Sequence, residues 1–271
     1  MNNVVLITGA SAGIGKTTAK LLLVNGYKVY AGARRVDNLK ELETLGAKIM
    51  HLDVTDEASL KNAVAMIIEA ESRLDILINN AGYGAHGAIE DVPMSEARRQ
   101  FEVNLFGLAR LTQLVLPVMR KQGAGKIVNI SSIAGKITMP LGGWYHAAKH
   151  ALEAYSDALR AEVYRFGIKV ILIEPGAIKT EWDTVALANL SKYSGSGPYA
   201  ALTDKLTNKF RAGYRKGAPG PEVVAAAILK ALRSGRPAAR YAVPFQAGLI
   251  IFLKRLLPDR VLDFAIRSLL K

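Results

Sequence analysis

Cysteine is absent from the 271 residues. Disulfides and thiolate metal sites are thereby excluded, and the fold does not depend on an oxidising compartment. The first residues, Met1-Asn2-Asn3, enter a β-like run at once with no basic region or cleavage motif, so a cytoplasmic protein is expected. The apolar run 248–253 is far shorter than the roughly 20 residues a bilayer span needs. Acid is scarce in one region only. Residues 192–271 hold 15 Lys and Arg against 4 Asp and Glu, whereas residues 1–191 hold 21 against 19. Of the net charge of +13, +11 therefore lies in the last 80 residues. A chain-wide basic face for nucleic acid would not be distributed this way, so nucleic acid is not an expected partner. An anionic substrate or a membrane surface met by the C-terminal region would fit.

What is present is apolar and periodic. Half of the residues are hydrophobic, enough for a sizeable core. Short β-branched runs at 3–9, 27–34, 47–53, 74–82, 125–132, 168–176 and 239–243 alternate with helical patterns at 16–26, 56–73, 95–122, 145–167 and 221–235. The expectation is an α/β fold: a doubly wound parallel sheet of about seven strands, helices on both faces and right-handed crossovers. Residues 1–244 read as one catalytic domain. Within it, 177–220 is rich in Gly, Ser and Pro around a basic helical piece near 201–216, as a substrate lid would be. Residues 245–271 form an amphipathic, basic, helical extension in two pieces joined at Pro258.

The stretch TGASAGIGKTTA, Thr8 to Ala19, offers two chemistries. Gly9, Gly13 and Gly15, with Ser11 and Ile14 between them, could let a backbone close on the pyrophosphate of a dinucleotide. Alternatively, Ala10 followed after four residues by Gly15-Lys16-Thr17 is a near miss to a P-loop for ATP and magnesium, with Asp53 imitating the acidic partner. Both solutions aim N–H groups and a helix N-terminus at phosphate.

Residues further on decide between them. Tyr145 and Lys149 stand four apart at the start of a predicted helix and so share a face. Ser132 precedes Tyr145 by thirteen residues at a strand end, and Asn104 lies on the helix between. With the glycine stretch, NNAG at 79–82 and Pro175-Gly176, these residues resemble the short-chain dehydrogenase/reductase family over about residues 3–180, including the three-residue gap from Gly9 to Gly13. The resemblance implies a Rossmann-like fold and an oxidoreductase that moves a hydride between a nicotinamide cofactor and a ketone, aldehyde or secondary alcohol. It makes Tyr145 the acid/base, Lys149 its tuner and ribose anchor, Ser132 the carbonyl orienter and Asn104 the support of a proton relay. An ammonium beside a phenol of pKa near 10 would bring the phenol closer to neutral pH. Ser131 is expected to point to the opposite face from Ser132.

The second strand ends Ala33-Arg34, with no acid for a ribose 2′-hydroxyl; a guanidinium there suits a 2′-phosphate, and Lys16 adds charge, so NADP(H) is expected. By resemblance, Asp53 and Val54 meet the adenine, Asn80, Ala81 and Gly82 wall the adenosine ribose, and Pro175, Gly176, Ile178 and Thr180 border the nicotinamide.

Plainer readings stand beside these. Arg34-Arg35 could be a solvated strand end, Asn80 and Gly82 could serve a turn, and Asp53 could cap the next segment. His146 and His150 imitate a zinc helix, but Ala147 stands where the glutamate would be, and no metal is expected. Trp144, Trp182, Leu141 and Met139 suggest an apolar pocket for a bulky lipophilic carbonyl. The tail, with Lys254, Arg255, Arg260, Arg267 and Lys271, is read as packing over the cleft or a partner subunit, or as an interfacial helix on anionic lipid. A homodimer or homotetramer through the two long helices is the family habit. A cofactor-binding sensor or scaffold without turnover remains the alternative from another class.

Overall fold

The structure is a computed structural model that describes residues 3–215 and 217–270. Met1, Asn2, Lys216 and Lys271 lie outside it, the last of these being one of the basic residues expected in the tail.

Seven strands form one parallel sheet: β1 (Val4–Thr8), β2 (Lys28–Ala33), β3 (Lys48–His51), β4 (Ile76–Asn79), β5 (Gly125–Ile130), β6 (Ile168–Pro175) and β7 (Arg240–Val243). Their spatial order is β3-β2-β1-β4-β5-β6-β7, so the winding reverses between β1 and β4. In open parallel sheets that switch point, at the carboxyl ends of the strands, is where a crevice forms.

Strand residues are apolar on both faces because helices cover both. Val5, Ile7, Ile76, Ile78, Val128, Ile171 and Ile173 face one layer, made by α1 (Gly13–Val24), α2 (Lys40–Thr44) and α9 (Glu222–Arg233). Val4, Leu6, Leu77, Ile127 and Val170 face the other, made by α3 (Glu57–Glu71), α5 (Gly107–Gln122) and α6 (Gly143–Val163). The period of two thus sorts the strands into two cores, in which a buried leucine such as Leu22 or Leu111 contributes roughly 1.5–3 kcal/mol.

Three differences from the sequence reading have local causes. The helix expected over 95–122 is α4 (Met94–Phe101), a wide π turn at Glu102–Phe106, and then α5. The π turn carries the fully buried Asn104, whose amide donates to the Tyr83 carbonyl (2.7 Å) and accepts from the Tyr83 N–H (3.0 Å). Such turns recur at functional sites. The lid is also more regular than its composition suggests, consisting of α7 (Glu181–Ser194) and α8 (Ala200–Arg215). The start of α7 is written in Thr180-x-x-Asp183, a reciprocal capping box. Finally, α1 begins at Gly13 rather than after Gly15, so the glycine motif is itself the first helical turn.

Beyond β7 the chain forms α10 (Phe245–Leu256) and α11 (Asp259–Leu270) on either side of Pro258. α10 packs on β7 and on the turn Ile133–Gly135, and α11 packs on α8. Among the described residues, no helix is long and apolar enough to cross a membrane.

Candidate active site

A cavity of about 670 Å³ opens over the carboxyl ends of β1, β2, β4, β5 and β6. Gly9, at φ +66°, turns the chain out of β1, and a Cβ there would lie 2.8 Å from Ala81 Cα. Gly13 sits at φ +53° and leaves room for Thr180 at the foot of α7. A Cβ on Gly15 would lie 2.5 Å from the Gly9 carbonyl oxygen and press on the Asn80 amide. Ser11, Ala12, Gly13 and Ile14 line the cavity, and no side chain caps the N-terminus of α1 there. Free N–H groups and the positive end of a helix dipole at a concave wall suit a pyrophosphate.

The edge of β4 is clamped to β1. Thr8 Oγ1 accepts from the backbone N–H groups of Asn80 and Ala81, both at 3.0 Å. The Asn80 amide donates to the carbonyls of Thr8 (2.9 Å) and Gly9 (3.0 Å). Asn80 therefore does more than make a turn: it sets the glycine loop.

Arg34 and Arg35 both line the cavity at the end of β2. Arg35 reaches across to Glu181 (3.1 Å) and Ser11 Oγ (3.5 Å), tying β2 to the foot of the lid. Lys16 does not share this wall. Its ammonium pairs with Glu41 at 2.8 Å on the outer side of α1, because one turn of helix carries it past the glycine loop and Glu41 stands there as an acid. Asp53 and Val54 line the cavity, and Asp53 Oδ1 also accepts from the Thr55 N–H (2.9 Å) and hydroxyl (2.8 Å). Burial works to raise the Asp53 carboxyl, but the Thr55 bonds and the Arg34 charge outweigh it and hold the group below its ordinary value.

At the other end of the cavity Ser132, Tyr145 and Lys149 converge. Ser132 Oγ accepts from the Ala134 N–H (3.1 Å) and donates to the Pro175 carbonyl (3.3 Å), and the Tyr145 phenol bonds to it. Lys149 Nζ donates to the Ile130 carbonyl (2.8 Å) and lies 5.9 Å from the centre of the Tyr145 ring. Burial pushes the Tyr145 phenol up to about 12, with the Ser132 bond acting the other way. Burial also brings the Lys149 ammonium down to about 8. This differs from the sequence reading, in which the ammonium lowers the phenol: burial, opposed only by the Ser132 bond, sets the direction here, and the phenol keeps its proton at neutral pH. Ser131, which also borders the cavity, has an Oγ with no hydrogen-bond partner among the described residues.

Gly82, Pro175, Gly176, Ile178 and Thr180 complete the wall, whereas Gly15 and Asn104 stand behind it. Asn104 instead fixes the Tyr83 backbone, which borders the cavity. Of the residues expected to make an apolar pocket, only Trp182 lines it. Leu141, at φ +61°, packs with Ala88, Leu190 and Leu206 instead. Trp144 turns to the Ile89 carbonyl (3.4 Å), and the Met139 N–H meets His146 Nε2 (3.2 Å). That bond makes Nε2 the acceptor, so His146 Nδ1 carries the proton it gives to the Ala134 carbonyl (3.1 Å). Both ring nitrogens of His146 are engaged in holding the loop 134–139. Among the described residues no group of three metal-ligating side chains comes together.

The sequence reading missed His86. Its ring lies 5.4 Å from that of Tyr145 and 5.5 Å, edge-on, from that of Trp182. Burial, aided by His146, drives it down to about 4, so it is a neutral aromatic wall at physiological pH. A second small recess runs from His86 and Trp182 along Ala186, Leu187, Leu190 and Phe210 under the lid. No spacing rule marks His86. Only the fold of the 80–93 loop brings it to Tyr145.

Residues 3–190 match the family described as short chain dehydrogenase. The chain is 38% identical to the 3-ketodihydrosphingosine reductase of Bacteroides thetaiotaomicron, over 97% of its own length and 96% of the relative's. It is 36% identical to the NADPH-dependent 3-dehydrocapnine reductase of Ornithobacterium rhinotracheale, over 95% and 94%. Among solved structures, a short-chain dehydrogenase from Streptomyces avermitilis superposes with a TM-score of 0.83 at 35% identity, covering 97% of this chain and 95% of that one. The glycine cradle, the uncapped helix N-terminus and the walls around it fit a nicotinamide dinucleotide, and the chain belongs to the short-chain dehydrogenase/reductase family, whose members use that cofactor on CH–OH and C=O groups.

Proposed function

We propose that the chain is an NADP(H)-dependent oxidoreductase interconverting a lipophilic ketone or aldehyde and its alcohol, with residues 1–244 as the catalytic domain and 177–220 as its lid. The observation that carries this reading is the convergence of Ser132, Tyr145 and Lys149 on one end of a cavity whose other end holds Arg34. When bound, the nicotinamide supplies or receives the hydride at the carbonyl carbon. The carbonyl oxygen gains negative charge as that happens, and the Ser132 hydroxyl and the Tyr145 phenol are the donors placed to meet it. The proton passes from the Tyr145 oxygen to the substrate oxygen, leaving a phenolate next to the Lys149 ammonium. With the phenol held up to about 12, Tyr145 carries its proton at neutral pH and is present in the form that can donate it, though it is a weaker acid than an ordinary phenol. Asn104 holds the Tyr83 backbone and, by analogy with the family, the solvent path that restores the proton.

Arg34 is the proposed contact for a 2′-phosphate. Lys16 is engaged with Glu41 and takes no part in that proposal. Gly9, Ser11, Gly13 and Ile14 would hold the pyrophosphate, Asp53 and Val54 the adenine, Asn80, Ala81 and Gly82 the adenosine ribose. Lys149 would hold the nicotinamide ribose, and Pro175, Gly176, Ile178 and Thr180 the nicotinamide. The lipophilic substrate is argued from the aromatic wall of His86 and Trp182 and the apolar recess under the lid. The two relatives named for reducing a 3-keto and a 3-dehydro compound are consistent with it. The exposed Met94 and Phe106 on the α4–α5 edge support assembly as a homodimer or homotetramer there. The reading is tested by titrating purified protein with NADPH, NADH and Mg-ATP, for the wild type and for Arg34→Ala. Tight NADPH binding, weak NADH binding and loss of that difference in the variant are expected. Binding of Mg-ATP without NADPH would overturn it.

A further inference from the structure

The segment after Val243 presents a surface the carbonyl chemistry does not use. On α10, Ala247 is buried against the body of the protein and lies under the Gly176 turn, where a Cβ on Gly176 would approach Ala247 Cβ at 3.2 Å. The opposite side of the helix carries Phe245, Leu249, Phe252 and Leu256, spaced 4, 3 and 4 apart, so that they form one stripe. All four are exposed, Phe245 at 83%. On α11, Val261 and Phe264 continue the pattern, with Phe264 at 72% exposure. Large apolar side chains arranged on one face and left in water mark a surface that has an occupant.

The charges say which occupant. Arg260 and Arg267 are seven residues apart on α11 and flank the Val261–Phe264 face, and Arg255 flanks the α10 stripe. Lys254 is partnered by Asp259 at 3.3 Å, which leaves these three arginines against Asp263 alone among the described residues of the segment. A second copy of the chain meeting this face through a two-fold axis would bring like charges together. A lipid bilayer with anionic headgroups accepts both features: the apolar stripe enters the headgroup–acyl boundary while the guanidinium groups reach back to phosphate. We propose that α10 and α11 lie in the plane of an anionic membrane and dock the protein on it. Because α11 packs on α8, the docked surface is contiguous with the lid.

The test is co-sedimentation of the full chain with large unilamellar vesicles of phosphatidylcholine alone and of phosphatidylcholine with 30% phosphatidylglycerol. Wild type is compared with Phe252→Ser/Phe264→Ser and with Arg260→Glu/Arg267→Glu. We expect at least a tenfold stronger partition to the anionic vesicles, its loss in both variants, and its weakening in 0.5 M salt. Melting temperature and NADPH titration serve as folding controls, because none of the four residues touches the cavity. Equal partition to both vesicle types would overturn the proposal, as would wild-type partition in either variant. A third contrary result is an oligomer that dissociates in the Phe252→Ser/Phe264→Ser variant, with no vesicle binding by the wild type. That would make a second copy the occupant.

Discussion

Where β1 and β4 end, four hydrogen bonds tie Thr8 and Gly9 to Asn80 and Ala81 across a gap in which Gly9 and Gly15 leave room for the Asn80 amide. On α10 and α11, Phe245 and Phe264 stand in water and, among the described residues, one ion pair, Lys254–Asp259, links the two helices. The first region holds atoms in place for chemistry that fails if a donor moves by an ångström. The second offers area and charge, which tolerate loose geometry. The comparison can be broken by substitutions that should matter greatly at the sheet edge and hardly at all in the tail.

The largest expected effect is that of Tyr145→Phe. Removing the proton donor should lower kcat/KM for carbonyl reduction by about 10²–10⁴-fold, the range for general acid catalysis. NADPH affinity and melting temperature should stay close to wild type, because the ring remains packed against His86 and Trp182. Stopped-flow and steady-state assays on a panel of lipophilic ketones would show this. Retained turnover in the variant would remove Tyr145 from the chemistry.

Arg34→Ala comes next. A charge-assisted contact to a 2′-phosphate is worth roughly 1.5–3 kcal/mol, so NADPH should bind about 10–100-fold more weakly while NADH binding is unchanged. Calorimetric titration measures both. The corresponding tail substitution, Arg260→Ala, should leave both affinities unaltered, and a loss there would mean that the tail reaches the cofactor end.

The sequence made the sheet edge legible for a physical reason. Backbone that must approach phosphate needs glycine, a phenol and an ammonium on one helical face need a spacing of four, and both constraints are local and written in order along the chain. The strands were legible because burial on both faces favours apolar residues along most of their length. What was not legible depended on contacts made far along the chain. Lys16 follows the glycine motif directly, yet Glu41 on another helix holds it outside. His86 has no patterned neighbour and comes against the Tyr145 ring, at the edge of the recess under the lid, only when the loop after β4 folds over Tyr145. The low phenol pKa expected from Lys149 gave way to burial, a quantity that no spacing encodes. The π turn at Asn104 interrupts a helix whose apolar periodicity carries through it almost unchanged.

Between the two regions lies the lid, and Ser194 tests how firmly it is held. Ser194 Oγ donates to Asp91 (2.6 Å) and accepts from the Ala88 N–H (2.8 Å), while Thr203 Oγ1 donates to the Ser194 carbonyl (2.7 Å). Ser194→Ala leaves a buried N–H and a carboxylate oxygen without their partner, at about 1–3 kcal/mol of local stability. A several-fold rise in KM for a bulky carbonyl is expected, with kcat and NADPH affinity nearly constant. Equal loss in kcat and KM would mean that the lid anchor also orders Tyr145.

The smallest effect is a pH dependence. Glu174 at the end of β6 and Glu153 on α6, one turn beyond Lys149, are both buried, and Arg240 from β7 bonds Glu153 (3.0 Å) and Glu174 (3.3 Å). Lys136, after the Ser132 turn, bonds Glu153 at 2.7 Å and approaches Glu174 at 4.0 Å. Burial and the neighbouring Glu153 raise the Glu174 carboxyl to about 7 against the nearby cations, from an ordinary value of 4.5. Between those two values the folded protein holds a proton that the unfolded chain has released. The contribution of Glu174 to stability is therefore greatest below pH 4.5, falls as pH rises through 7, and is level above. Glu174→Gln removes that slope while Glu153 keeps both cations, so the variant's melting temperature should gain on wild type by a few degrees between pH 5 and pH 8. In the tail, Lys254→Ala breaks a pair whose Asp259 is 92% exposed, and such pairs are worth about 0–1 kcal/mol, so a shift of at most about two degrees and no comparable slope are expected. A pH-independent difference between wild type and Glu174→Gln would mean that Arg240 keeps Glu174 ionised throughout. The buried carboxylate pair would then behave like the exposed pair of the tail.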